Sequence, residues 1–114
     1  MMGGPLKVTT RDAPAGPVLE IAGTLDYAST PGLRELLTTL ALQPGQRLVI
    51  NLAGMEFCDS SGLTTLIAAR NHARAAHSDI ALAAVPPHIL RVLRIVGLDQ
   101  IFPIHPDSGS TARS

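Results

Sequence analysis

The sequence predicts a single α/β domain with a mixed, mostly parallel sheet of about five strands, in the order β-β-α-β-α-β-α-β. Three observations point there. Short runs of Leu, Val and Ile alternate with segments whose apolar residues recur every three to four positions. Each helical segment is apolar on one side only, so it packs on a sheet and turns its other side to water. The first two strand segments adjoin, whereas later ones are separated by helices. That calls for a hairpin followed by right-handed parallel crossovers. At 114 residues with 46% apolar composition, the chain suits one domain with a modest core. Aromatics are scarce, only Tyr27, Phe57 and Phe102, so that core is built from Leu, Val, Ile and Ala.

Residues 1–5 read as a flexible N-terminus, 6–105 as the domain and 106–114 as a disordered tail. Lys7-Val8-Thr9-Thr10 and Val18-Leu19-Glu20-Ile21 form the opening hairpin, linked by the turn-rich Asp12–Pro17 segment. Gly23-Thr24-Leu25-Asp26 then leads to a helix start, with Thr30 as cap and Pro31 at the first helical position. Leu33, Leu36, Leu37 and Leu40 make its apolar stripe, and Gln43-Pro44-Gly45 stops it. Arg47–Leu52 is a central strand, apolar enough to be buried on both faces. Leu63, Leu66, Ile67 and Arg70 mark a second helix, continued by helix-forming alanines to Ala76. Ile80–Val85 is a strand broken by Pro86-Pro87. A third helix carries Ile89, Val92, Leu93 and Val96, with Gly97 just past its end. Ile101-Phe102 is the expected last strand, and Ser108–Ser114 falls in the tail.

Nine basic and nine acidic residues cancel, so there is no cationic footprint for nucleic acid or anionic lipid. The single cysteine, Cys58, forbids an intrachain disulfide, and its place at a strand end suits a small buried side chain. The N-terminus lacks signal-peptide regions, and no apolar run reaches the ~20 residues that span a bilayer. A cytoplasmic protein is expected, with no membrane contact and no cofactor.

Enzyme motifs are wanting. The one lysine, Lys7, is far from any phosphate-loop glycine pair, and G-x-G-x-x-G is missing. Ser60 has Cys58 where a nucleophile elbow needs glycine. His72 and His77 are five residues apart, on different helix faces, and read as exposed helical histidines rather than metal ligands. A small hydrolase is the weakest reading.

What stands out is Asp59-Ser60-Ser61-Gly62, where the central strand turns into the second helix. Unpaired N–H groups at a helix start favour a capping side chain, and they also accommodate a phosphate. From the residues alone, a cap is the plainer reading.

The stretch Leu48–Leu63, with the intact Asp59-Ser60-Ser61-Gly62, resembles the signature of the anti-sigma factor antagonists, the STAS-domain family. Gly23-Thr24-Leu25-Asp26 resembles the family's G-x-L-D, the Val85–Val96 segment matches in order, and Gly97-Leu98 to Phe102 resembles its closing segment. The likeness covers about residues 6–105. It implies a non-enzymatic switch. The antagonist binds an anti-sigma factor that is also a serine kinase, which frees a sigma factor. The kinase phosphorylates the serine after the aspartate, here Ser60, and a PP2C-type phosphatase resets the system. Asp26, Asp59, Ser61 and Gly62 would share the contact surface with Ser60. The alternative is a STAS scaffold, or an accessory subunit of a signalling complex or transporter, that works without Ser60 phosphorylation. Two features depart from the family. Thr24 stands where an acidic residue is common, and Pro103, Pro106 and the Ser/Gly tail leave little material for a further helix.

Overall fold

The opening hairpin forms, and it is tighter than expected. In the structure, a computed structural model describing residues 5–106, β1 (Lys7–Ala13) and β2 (Gly16–Leu25) pair antiparallel from Lys7 opposite Ala22 to Ala13 opposite Gly16. Only Pro14 and Ala15 remain for the turn, so Asp12, Ala13, Gly16 and Pro17 belong to strands. The segments expected to be flexible, 1–5 and 106–114, lie outside the described residues apart from Pro5 and Pro106.

All later pairings are parallel. β3 (Arg47–Cys58) lies beside β2, β4 (Asp79–Ala83) beside β3, and β5 (Ile104–His105) beside β4, in the order β1-β2-β3-β4-β5. α1 (Thr30–Thr39), α2 (Ser60–Ala75) and α3 (Pro87–Ile95) make the three crossovers, so the expected β-β-α-β-α-β-α-β order holds. Alternation along the strands turns Leu19, Ile21, Leu48, Ile50, Leu52 and Leu82 toward Leu33, Leu37, Leu66 and Leu93 of the helices in one core. Each fully buried Leu or Ile there contributes about 1.5–3 kcal/mol. A smaller cluster of Val18, Val49 and Ala83 involves the intervening strand positions.

Several boundaries differ from the sequence reading, each for a local reason. Thr30 is the first helical residue rather than the cap. Ser29 precedes the helix, and the Thr30 hydroxyl donates to Tyr27 O at 3.3 Å. β3 continues six residues past Leu52 because β2 keeps pairing with it after β4 has ended. α2 buries Gly62, Thr65, Leu66, Ala69 and Ala73, leaving Leu63 and Ile67 at the margin. Val96 is half exposed, and α3 is anchored by Ile89 and Leu93.

The final strand is Ile104–His105, not Ile101-Phe102. Gly97, left-handed at φ 82°, ends α3 as expected, and a 3₁₀ turn at Leu98–Gln100 follows. Phe102 N–H donates to Leu98 O at 3.1 Å, so Phe102 is a buried plug in a turn. Pro103 and Pro106 bracket the short β5. His77 lies outside α2 at φ 59°, whereas His72 is half-buried beside Leu40 O at 3.4 Å. Only the exposure expected of His77 survives.

Candidate functional site

The parallel register sets the site. Leu25, the last residue of β2, pairs with Cys58, the last residue of β3. The two chains therefore leave the sheet side by side, and the next residues are Asp26 and Asp59. Asp59 N–H donates to Leu25 O at 3.2 Å, carrying the alignment one residue further.

Asp59 is the cap of α2. Its Oδ1 accepts from Gly62 N–H at 2.9 Å, satisfying one of the orphan donors of the first turn. Its Oδ2 accepts from Tyr27 N–H at 3.2 Å, which ties α2 to the loop before α1. Asp26 organises that loop. Its Oδ1 accepts from Ser29 N–H at 3.0 Å, while its own N–H donates to Ser29 Oγ at 2.9 Å. Ser29 Oγ also donates to Thr24 O at 2.9 Å. Both carboxylates thus act first as braces for two helix starts.

Gly62 lies under this surface. A Cβ there would stand 2.6 Å from both Cys58 Sγ and Leu25 O, so only glycine lets α2 sit this close to the strand ends. The Cys58 thiol is buried, and its pKa is pushed up to about 12 by desolvation and then by the charge of Asp59. Such a thiol stays protonated and inert near neutral pH.

Ser60, the first residue of α2, is exposed. With Asp59 acting as cap, the Ser60 hydroxyl makes no hydrogen bond among the described residues. Ser61 is half-buried and edges an open groove of about 540 Å³, shared with Tyr27, Ala28, Thr30, Pro31, Arg34 and Thr64. Sequence reasoning did not single out Tyr27, Arg34 or Thr64. Tyr27, 81% exposed in a turn directly after Asp26, carried the clearest signal of the three.

No hydroxyl–base pair forms here among the described residues. His72 faces Leu40 O, and His88 Nε2 lies 2.9 Å from Glu56 O, so neither ring reaches Ser60. Among those residues no cluster of three His, Cys, Asp or Glu could hold a metal, and no helix is long and apolar enough to cross a membrane.

The fold and site together define a small α/β domain whose distinctive surface is a braced strand-to-helix junction presenting a serine. More particularly, the chain belongs to the STAS-domain family: residues 8–104 match the family described as "Mlab, STAS domain". It is 30% identical over 86 residues to a STAS-domain-containing protein of Pseudomonas aeruginosa, covering 75% of this chain and 84% of that one. It is 29% identical over 84 residues to the anti-sigma-B factor antagonist of Listeria monocytogenes, covering 74% of each. The fold matches the crystal structure of an anti-sigma factor antagonist from Mycobacterium paratuberculosis with a TM-score of 0.82, at 24% identity over 96% of this chain and 95% of that one. The resemblance read around Asp59-Ser60-Ser61-Gly62 is therefore borne out at the level of family and fold.

Proposed function

We propose that this chain is an anti-sigma factor antagonist of the partner-switching kind, a binding module that acts in the cytoplasm without catalysing a reaction. Unmodified, it binds an anti-sigma factor that is also a serine kinase and so frees a sigma factor. Phosphorylation at Ser60 dissolves the complex, and a PP2C-type phosphatase restores it. Ser60, Ser61, Asp59 and Asp26 form the contact surface, with Gly62 holding the helix beneath it.

The observation that carries this reading is the division of labour at the junction. Asp59 caps α2, so the exposed Ser60 hydroxyl has no structural task. A phosphate there adds roughly −1.5 to −2 charges at pH 7. The free N–H groups and dipole of the helix start accommodate it, so the fold is spared. A partner shaped for a bare hydroxyl instead meets repulsion and an uncompensated desolvation. Such a mismatch at an interface centre costs about 2–5 kcal/mol, roughly 30- to several-thousand-fold in affinity. No rearrangement of the antagonist is required.

The test is to incubate the protein with ATP and each candidate anti-sigma kinase of the same genome, then map phosphate by mass spectrometry. Phosphate on Ser60 is expected. In binding assays with the active kinase, Ser60→Ala should bind and Ser60→Asp should bind weakly. Absence of Ser60 phosphate with every candidate overturns this reading and leaves the phosphorylation-independent scaffold.

A further inference from the structure

α1 and α2 follow adjacent parallel strands, so they run side by side in the same direction with their starts at one end of the sheet. Arg34 lies four residues into α1, about 6 Å along the axis from Thr30. Helical side chains lean toward the N-terminus of their helix, which carries the Arg34 side chain toward the level of Ser60. Arg34 shares the groove with Ser61 and Thr64. Thr64 lies one turn from Ser60 on the same side of α2, and Ser61, the chain neighbour of Ser60, also lines the groove, so Ser60 stands just outside it. Arg34 is exposed and makes no hydrogen bond or ion pair among the described residues. The nearby carboxylates are engaged elsewhere, Asp59 with Gly62 and Tyr27, Asp26 with Ser29.

We propose that Arg34 is the counter-ion of phosphorylated Ser60, reaching across the α1–α2 groove to pair with the phosphate. The proposal rests on reading Ser60 as the phosphoacceptor and adds a second consequence of modification. A guanidinium matches phosphate oxygens in a bidentate fork. Drawn onto the phosphate, it crosses the groove mouth over Ser61 and Thr64. One modification then replaces the hydroxyl and reshapes the surface beside it.

Phosphoserine inserted at position 60 during translation tests this without any kinase. The phosphate's second ionisation, normally near pH 6, is followed by phosphorus NMR in the full chain and in Arg34→Gln, Arg34→Lys and Arg74→Gln. The helix start, Asp26 and Asp59 act alike in all four proteins, so differences isolate the cation. The apparent pKa should rise by about half a unit in Arg34→Gln, the size of an exposed ion pair. Arg34→Lys should rise less, and the difference should shrink in 1 M salt. Arg74 lies fourteen residues along α2, about 21 Å from Ser60, and Arg74→Gln should match wild type. Equal titrations in wild type and Arg34→Gln, or an equal shift from Arg74→Gln, overturn the proposal. A failed kinase assay leaves this result standing, and equal titrations leave the phosphoacceptor reading standing.

Discussion

Substituting alanine for glycine at two helical positions should have opposite effects. At Gly62 the added methyl would lie 2.6 Å from Leu25 O, 2.6 Å from Cys58 Sγ and 3.0 Å from Leu25 Cγ. A backbone carbonyl cannot swing aside, so α2 must retreat by several tenths of an ångström. The Asp59 N–H to Leu25 O bond and the Tyr27 N–H to Asp59 Oδ2 bond, both 3.2 Å, lie across that same gap and lengthen with it. Overpacking of this kind costs about 1–3 kcal/mol, and the lost junction bonds add to it. Against this stands the better helix propensity of alanine, up to about 1 kcal/mol. The net expectation for Gly62→Ala is a loss of about 2 kcal/mol. At Gly32, in the first turn of α1, nothing lies within 4 Å of the added carbon. Gly32→Ala should therefore gain about 0.5–1 kcal/mol. Urea unfolding followed by circular dichroism measures both. With a slope of about 1–3 kcal/mol per molar, Gly62→Ala should lower the midpoint by roughly 1 M, and Gly32→Ala should raise it by a few tenths. A Gly62→Ala midpoint at or above that of wild type would refute the close-approach argument.

Three further perturbations bear on the same junction. Asp59→Ala removes the acceptor for both Gly62 and Tyr27 and should cost about 1–2 kcal/mol in thermal unfolding, with Asp59→Asn milder because its amide oxygen still accepts. The Cys58 thiol should react with iodoacetamide at pH 8 only as fast as the protein unfolds. Its pKa is raised in the fold, so the associated stability is fully present below the unfolded value of 9.0 and is lost as pH climbs toward about 12; rapid native-state alkylation would contradict this. Thr24 buries its Oγ1 with no hydrogen-bond partner among the described residues, so Thr24→Val should raise stability by about 1 kcal/mol and the melting temperature by a few degrees.

The elements that sequence periodicity governs were legible before the structure. Leu33 and Leu37 on α1, and Ile89 and Leu93 on α3, appear in the core as their spacing implies. The strand-to-helix junction at Asp59-Ser60-Ser61-Gly62 was legible too, because a buried run stops at small polar residues. The far half of β3 was not. Its buried positions there, Leu52, Met55 and Cys58, come every third residue, and the pairing with β2 shifts register on the way. A period-two pattern cannot reveal that. Ile101-Phe102 looks strand-like by composition, yet the turn set by Gly97 decides its backbone. Which of three polar residues caps α2 depends on side-chain geometry that spacing does not encode. The groove between α1 and α2 is a tertiary product. Arg34 and Thr64 are thirty residues apart and meet only because β2 and β3 are parallel neighbours.

The proline-bracketed β5 bears on how crowded molecules behave. It is the outermost strand of the sheet among the described residues, and it is two residues long. Proline offers no N–H, so Pro103 and Pro106 interrupt the row of donors on either side of Ile104 and His105. A foreign strand arriving at this rim finds too short a ladder to latch onto. At the opposite rim, β1 presents Lys7, Arg11 and Asp12 to solvent, where an incoming apolar strand would have to strip water from charges. Both margins discourage sheet-to-sheet polymerisation, which should let the domain remain dispersed at high concentration.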